Sequence, residues 1–120
     1  MSGKKIKPIM PSLRESNRYI TFEILSSREI KDFDIVEKSF ETEFRNFMGD
    51  LILSKAGLMI LKETWNPNSQ RGVIKIEKKY VDHVKSTLCL IKDIDNNEVI
   101  VRSLITSGMI NRVKKLIIGG

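Results

Sequence analysis

The side chains best able to do chemistry in this sequence are one histidine and one close pair of aspartates. His83 is the only histidine, and Asp82 beside it points elsewhere, because adjacent residues do not share a helical face. Asp93 and Asp95 fall where a predicted helix gives way to a turn, a common position for aspartate. A two-metal nuclease needs more carboxylates, from several elements. We therefore predict no catalytic residue and no metal site in this chain.

Ser107 and Gly108 come before a predicted last helix, which makes them a candidate phosphate contact. The free N–H groups at the N-terminus of a helix suit an anion. The two residues do not form a glycine-rich phosphate loop, because further glycines and a following Lys-Ser or Lys-Thr are missing. The sequence leaves two interpretations open, an anion contact and a simple helix cap.

Positive charge is concentrated at the two ends of the chain, whose net charge is +6. Residues 1–18 hold five basic side chains and one acid, residues 102–120 hold four basic side chains and no acid, and the middle holds twelve basic and fourteen acidic side chains. This segregation indicates a polyanionic partner; the alternative is an ordinary basic protein with lysine-rich ends. The residues predicted to bind such a partner are Lys4, Lys5, Lys7, Arg14, Arg18, Lys75, Arg102, Ser107, Gly108, Arg112 and Lys115.

Length and composition favour one small domain. The 120 residues suffice for a single core, and we expect a basic arm over 1–17 followed by one domain over 18–118. No run of apolar residues is long enough to span a membrane, and none follows the N-terminal lysines as a signal peptide requires. Cys89 is alone, which excludes an internal disulfide and a cysteine-based zinc cluster. A reducing, cytoplasmic setting is expected.

Hydrophobic periodicity predicts the elements that must position these residues. Tyr19 to Leu25 alternates with period two, with Ile20, Phe22 and Ile24 facing a core. A helical stripe follows, capped by Asp34 and ending near Gly49. That stripe consists of Phe33, Val36, Phe40, Phe44, Phe47 and Leu51.

The second half of the chain continues the alternation of strands and helices. Strands over 57–65 and 72–77 flank a turn and form an antiparallel hairpin. A helix with Val81, Val84 and Leu88 inward, a strand over 99–105 and a last helix complete the chain. The order β-α-β-β-α-β-α predicts an α/β sandwich of the ferredoxin-like, RRM-like type. Its four-stranded antiparallel sheet has the first and third strands central and one face open unless the last helix or a partner covers it.

The predicted sheet lacks most of the aromatic residues with which RNA-recognition domains stack bases. Tyr19 could serve in the first strand. The third strand begins Arg71-Gly72, as in that motif, but continues without a ring. Basic side chains are therefore expected to bind phosphates and the shape of structured RNA.

Four stretches resemble the archaeal ribonuclease P protein component 2 family, which corresponds to a small eukaryotic ribonuclease P/MRP subunit. The first is PSLRESNRYITF, from Pro11 to Phe22, and the last is RSLITSGMINR, from Arg102 to Arg112. Gly72 to Lys75 and Leu88 to Ile94 lie between them in the family's order. The resemblance covers nearly the whole chain.

The resemblance implies a subunit of a ribonucleoprotein that removes 5′ leaders from precursor tRNA. In that family catalysis belongs to the RNA with its bound Mg²⁺, so no cofactor is expected on this chain. The expected partners are ribonuclease P RNA, precursor tRNA through the complex, and ribonuclease P protein component 3.

A dense apolar stretch around Gly57 predicts a protein-partner surface, because a bare apolar edge strand is prone to aggregation. Its members are Leu53, Leu58, Met59 and Leu61. Component 3 is the expected occupant, with self-association of the isolated chain; the alternative is that the last helix folds back and hides these residues.

Two other function classes remain open. One is an RNA-recognition domain that binds single strands through Tyr19. The other is a ligand-sensing domain of the same topology that binds an amino acid or a metal and ignores RNA.

Overall fold

The computed structural model describes residues 16–119. Its elements are β1 (Asn17–Ser26), α1 (Phe33–Ala56), β2 (Met59–Asn66), β3 (Arg71–Glu77), α2 (Val81–Leu90), β4 (Asp93–Ile94), β5 (Asn97–Ser107) and α3 (Ile110–Gly119). A short 3-10 turn over Lys78–Tyr80 leads into α2. This mixture of helices and an antiparallel sheet confirms the α+β class, and the ferredoxin-like type stays a prediction. No helix within residues 16–119 is both long and apolar enough to cross a membrane.

The sheet has five strands in the order β2-β3-β1-β5-β4, and every neighbouring pair is antiparallel. The prediction of four strands was wrong by one. The additional strand β4 pairs with β5 across a two-residue turn at Asp95 and Asn96, whose φ values of 55° and 61° are those of a hairpin turn. A two-residue strand is too short to show an alternating pattern, so periodicity could not reveal it.

The main core lies between one face of the sheet and the helices α1 and α2. The predicted inward residues of β1, Ile20, Phe22 and Ile24, are all buried there. Phe40 of α1 meets Phe22 edge-to-face with ring centroids 4.9 Å apart, and Phe44 meets Phe40 in the same way at 6.1 Å. Each fully buried phenylalanine contributes about 1.5–3 kcal/mol through its apolar area, so these rings hold α1 on the sheet.

The N-terminus of α1 is capped by Asp32, and the prediction of Asp34 was wrong. Oδ1 of Asp32 accepts a hydrogen bond from the Asp34 N–H at 2.9 Å, and Asp32 has the extended backbone of a cap. Asp34 already lies in the first turn, where its negative charge interacts favourably with the positive end of the helix dipole.

Gly49 interrupts α1 instead of ending it. Its φ of 83° and ψ of 156° are non-helical, and the helix resumes to Ala56 before Gly57 closes it in the left-handed region. Met48 is buried, whereas Phe47 is 53% and Leu51 70% exposed. The prediction that Phe47 and Leu51 face the core was therefore wrong, because Met48 continues the buried stripe from Phe44 and the break at Gly49 resets the helical phase.

Helix α3 covers part of the second sheet face. Its Val113 and Ile117 form a second buried cluster with Leu61 and Val73. The Thr21 hydroxyl donates to the Val113 carbonyl at 3.5 Å. The sequence predicted that this face is open unless the last helix or a partner covers it. The structure shows that the last helix covers the face near its centre.

A buried amide joins three segments at one end of the sheet. Gln70 lies in the β2–β3 turn with φ 55°, and its Nε2 donates to the Ile24 carbonyl at 2.7 Å. Its Oε1 accepts from the Ile30 N–H in the loop before α1. These bonds satisfy backbone groups that β1 and the loop leave unpaired.

Gly72 lies opposite Phe22 in the pairing of β1 with β3, and the ring lies across it. A Cβ at residue 72 would be 2.8 Å from Cζ of Phe22 and 3.4 Å from Cε3 of Trp65. Trp65 stacks on Phe22 with ring centroids 6.1 Å apart, so the ring has little room to move away. The space above Gly72 is therefore part of the core packing.

We expect Gly72→Ala to lower the free energy of unfolding by about 1–3 kcal/mol, because the added methyl group overpacks the Phe22 ring. Urea unfolding followed by circular dichroism measures this change. Gly108→Ala is the matched control, since a Cβ there would lie 3.6 Å from Nη1 of Arg18, an ordinary contact. Equal midpoints for the two variants would contradict the packing argument.

Candidate nucleic-acid interface

Three of the predicted RNA-binding residues meet where β1 begins and β5 ends. Ser107 pairs with Tyr19 across the strands, and Gly108 follows it beside the guanidinium of Arg18. Nη1 of Arg18 also donates to the Asn17 carbonyl at 2.8 Å. The structure therefore brings Arg18, Ser107 and Gly108 together at one corner of the sheet, which we call the basic corner. Lys4, Lys5, Lys7 and Arg14 lie outside the described residues.

Ser107 makes a contact of the helix-capping type. Its Oγ accepts a hydrogen bond from the Met109 N–H at 3.0 Å, just before α3 begins at Ile110. A serine Oγ that accepts a hydrogen bond from the backbone N–H two residues later stabilises the turn before a helix. This role requires no bound anion. An additional phosphate contact by Ser107 or Gly108 stays a prediction.

Lys75 joins this corner through a row that crosses four strands. Tyr19 pairs with Ser107 on one side and with Lys75 on the other, and Lys75 pairs in turn with Met59. Tyr19 is half-buried and packs against the second cluster under α3. A ring in that position has little free face on which to stack a base, so the single-strand alternative loses its main residue.

Arg112 and Lys115 lie on the exposed side of α3 together with Lys114, opposite the buried Val113 and Ile117. The helix thus has its apolar side on the sheet and its cations toward solvent, as its amphipathic sequence requires. Lys75 and Ser107 both pair with Tyr19, which packs in the cluster under α3, so these two residues share the sheet face of this helix.

Arg102 occupies a separate position, in an ion-pair cluster that the sequence analysis did not find. Glu23 of β1 lies directly opposite Arg71 of β3 and Arg102 of β5. Nε of Arg71 is 3.0 Å from Oε2 of Glu23, and Nη2 of Arg102 is 2.7 Å from Oε1. The Glu23 side chain is 10% exposed and that of Arg102 is 55% exposed. We call these three residues the Arg-Glu-Arg cluster.

The electrostatics of the cluster favour the ionised carboxylate. Burial raises the pKa of Glu23, but the hydrogen bonds and charges of Arg102 and Arg71 outweigh it, so the pKa lies below its ordinary value. Strict alternation along β1 predicts Glu23 on the face opposite Ile20, Phe22 and Ile24, which is open unless the last helix or a partner covers it. The available signal was an acid in a central strand with arginines in the two strands predicted to flank it.

The candidate catalytic residues are not brought together. His83 is exposed on α2, and its ring contacts Tyr80 edge-to-face at 5.6 Å. Asp93 belongs to β4 and pairs with Glu98, and Asp95 forms the hairpin turn. Within residues 16–119, no group of three or more His, Cys, Asp and Glu side chains comes close enough to hold a metal ion.

The predicted protein-partner residues differ in accessibility. Met59 is exposed, Leu53 and Leu58 are half-buried against the main core, and Leu61 is buried in the second cluster under α3. The last helix thus hides Leu61, as the alternative interpretation supposed. A different apolar surface lies between α1 and α2, where the exposed Phe47 and Leu90 line one groove.

Fold and surface together define a class of protein: a small α+β domain with a basic helix on one sheet face and a layer of two helices on the other. The chain belongs to the Rpp14/Pop5 family, whose profile matches residues 18–118. This match confirms the family resemblance drawn from the sequence.

Individual relatives match nearly from end to end. Ribonuclease P protein component 2 of Pyrococcus abyssi is 33% identical over 111 residues, covering 92% of this chain and 92% of that protein. The protein of the same name from Pyrococcus horikoshii is 29% identical over 115 residues, covering 93% and 91%. A chain in the cryo-EM structure of yeast ribonuclease MRP superposes with a TM-score of 0.61 over 88% of both chains at 11% identity, which is a likeness of fold.

We expect Glu23→Gln to lower the free energy of unfolding at neutral pH by about 1–3 kcal/mol, because it leaves two guanidinium groups without their carboxylate. The folded-state pKa of Glu23 is lowered, so its contribution is fully present above the unfolded pKa of about 4.3 and is lost as pH falls through the folded pKa. Urea unfolding between pH 7 and pH 3 should therefore show the two proteins converging toward acid.

The control for this comparison is Glu41→Gln, which removes an exposed carboxylate from α1. Its unfolding free energy should follow that of the unaltered protein across the same pH range. A constant gap between Glu23→Gln and the unaltered protein down to pH 3 would contradict the linkage.

Proposed function

We propose that this chain is a protein subunit of ribonuclease P and supports the catalytic RNA in the endonucleolytic removal of 5′ leaders from precursor tRNA. The observation that carries the proposal is its similarity to ribonuclease P protein component 2 along 92% of both chains. Such a role places the protein in the cytoplasm.

The surface supports a role in binding RNA. The basic corner, the outer side of α3 and the Arg-Glu-Arg cluster supply cations that can neutralise phosphates, and such contacts position a protein on RNA without reading sequence. The half-buried Tyr19 favours this mode over base stacking on the sheet. We infer that residues 1–17 act as an additional basic arm and that 18–118 form a single ferredoxin-like domain with one further edge strand.

Cleavage chemistry in this proposal belongs to the RNA and its Mg²⁺. The carboxylates and the histidine considered as catalysts serve elsewhere in the structure: Asp95 in a hairpin turn and His83 beside the Tyr80 ring. The residues of this chain fit no metal centre of their own among those described. Its contribution is to hold RNA in the shape that the reaction requires.

We expect the purified full-length chain to bind a transcript of ribonuclease P RNA from the same source and to raise its cleavage of precursor tRNA in a reconstituted assay. If about six phosphates are contacted, log K should fall against log salt with a slope of roughly −4 to −5. Filter binding at several salt concentrations measures the slope. A slope near zero, or no effect on cleavage, would contradict the proposal.

Component 3 of ribonuclease P is the proposed protein partner. The exposed side chains of Phe47 and Leu90 form an apolar groove on the helical layer, on the sheet face opposite α3. We infer a protein contact site here because Phe47 and Leu90 expose their apolar side chains in one groove, next to Met48. Among the partner residues predicted from sequence, Met59 offers the most exposed alternative contact.

We expect Phe47→Glu to weaken the complex with component 3 by at least about tenfold, because it places a charge in an apolar interface. Met59→Glu tests the location predicted from the sequence. Both side chains are exposed, so neither change should unfold the protein, and size-exclusion chromatography of coexpressed chains with titration calorimetry measures the effect. A loss confined to Met59→Glu would move the interface to the sheet edge, and no complex with the unaltered chain would remove component 3 as partner.

A further inference from the structure

The sheet face under α3 is only partly covered. The helix packs over Thr21 and Val73 near the middle of the strands. Further along the same face, Leu25 is 43% and Ile100 is 64% exposed, and the two residues pair across β1 and β5. The Arg-Glu-Arg cluster lies two residues before Leu25 along β1, at the border between the covered and the open part. Arg102 is therefore accessible from solvent while Glu23 is not.

The carboxylate of Glu23 fixes the orientation of Arg102. Oε1 accepts from Nε of Arg102 at 2.8 Å, and Nη2 lies 2.7 Å from the same oxygen. Two of the three guanidinium nitrogens are thus directed at Glu23, and Nη1 has no partner among the described residues. The second carboxylate oxygen is taken by Arg71. The cluster keeps a net charge of +1, which is presented by a side chain that is already ordered.

We propose that Arg102 binds a phosphodiester oxygen of the RNA backbone and that Glu23 is its positioning residue. The inference rests on the proposed function and names a contact within it. A guanidinium suits phosphate because its planar fork of donors matches the phosphate oxygens. Holding the side chain in place before binding reduces the rotamer entropy that the contact would otherwise lose. The exposed edge of Arg102 at Nη1 is the part that faces the phosphate.

The direction in which Glu23→Gln changes the RNA affinity distinguishes positioning of Arg102 from general electrostatic attraction. Glu23→Gln removes one negative charge and so makes the net charge of the protein more positive. General electrostatic attraction therefore predicts tighter RNA binding. Loss of the positioning carboxylate predicts weaker binding, because Arg102 then has no fixed orientation. We expect the affinity of the full-length chain for ribonuclease P RNA to fall about three- to tenfold in Glu23→Gln, measured where circular dichroism shows the variant folded.

Two substitutions of Arg102 test the contact without removing the buried carboxylate's other partner. Arg102→Ala should lower the affinity about tenfold, the size of one charge-assisted hydrogen bond, and should make the salt slope shallower by about 0.7–0.9, one phosphate's share. Arg102→Lys keeps the charge but not the fork, so it should recover only part of the affinity. Lys38→Ala on the exposed side of α1 is the matched control of equal charge change and should leave both quantities within twofold.

A second measurement reports the contact directly. Nε–H of Arg71 and Arg102 both donate to Glu23, so both should give slowly exchanging signals in ¹⁵N–¹H spectra of the full-length protein. A short double-stranded RNA should shift the Arg102 signal more than the Arg71 signal. The signals are assigned by their loss in Arg102→Ala and Arg71→Lys.

Each outcome decides the proposal. Tighter binding by Glu23→Gln, or an effect of Arg102→Ala no larger than that of Lys38→Ala, overturns it while leaving the ribonuclease P function intact if the unaltered chain still raises cleavage. Weaker association of Arg102→Ala with component 3, at unchanged RNA affinity, overturns it in favour of a protein contact. Failure of the unaltered chain to bind the RNA overturns both the contact and the proposed function.

Discussion

The middle of the central strand β1 is covered on both faces, and most other features of the molecule depend on that constraint. Five consecutive residues, from Ile20 to Ile24, are buried. One of them is Glu23, and a carboxylate in such a place is tolerated only when it is paired and hydrogen-bonded. Arg71 and Arg102 pair with it from the two neighbouring strands, so the ion pairs require the same strand register that the apolar core requires.

The coverage of β1 on both sheet faces also limits how this domain can bind RNA. A four-stranded sheet with one open face can stack bases on its aromatic side chains, but α3 occupies the middle of that face here and packs against Tyr19. Exposed cations lie around the helix, with Arg112 on its outer side and Arg102 at the open end, and the half-buried Arg18 lies beside Gly108 just before the helix begins. Groups arranged around a covered face can bind phosphates at several points without inserting between bases, which suits a folded RNA better than a single strand.

The sequence predicted what periodicity can express. The inward residues of β1, the order of the long elements and the stripe through Phe40 and Phe44 follow from periods of 2 and 3.6, and the structure has them. The errors share a different cause, since a two-residue β4, the cap at Asp32 and the break at Gly49 are local events without a period. Glu23 was missed because alternation assigns a residue to a face but cannot show whether that face is covered. Of the candidate RNA-binding residues, the structure gathers Arg18, Ser107 and Gly108 and separates Arg102.

The division of the sheet into two faces allows the chain to hold two partners at once. The helical layer leaves Phe47 and Leu90 exposed on one side, while the basic side chains of α3 lie on the other. A protein bound at the apolar groove would not cover the cations, and an RNA bound along α3 would not cover the groove. Because α1 packs on β1 through Phe40 and Phe22 and α3 packs on it through Val113 and Thr21, both surfaces are built on the same strand, the one whose Glu23 pairs with Arg102.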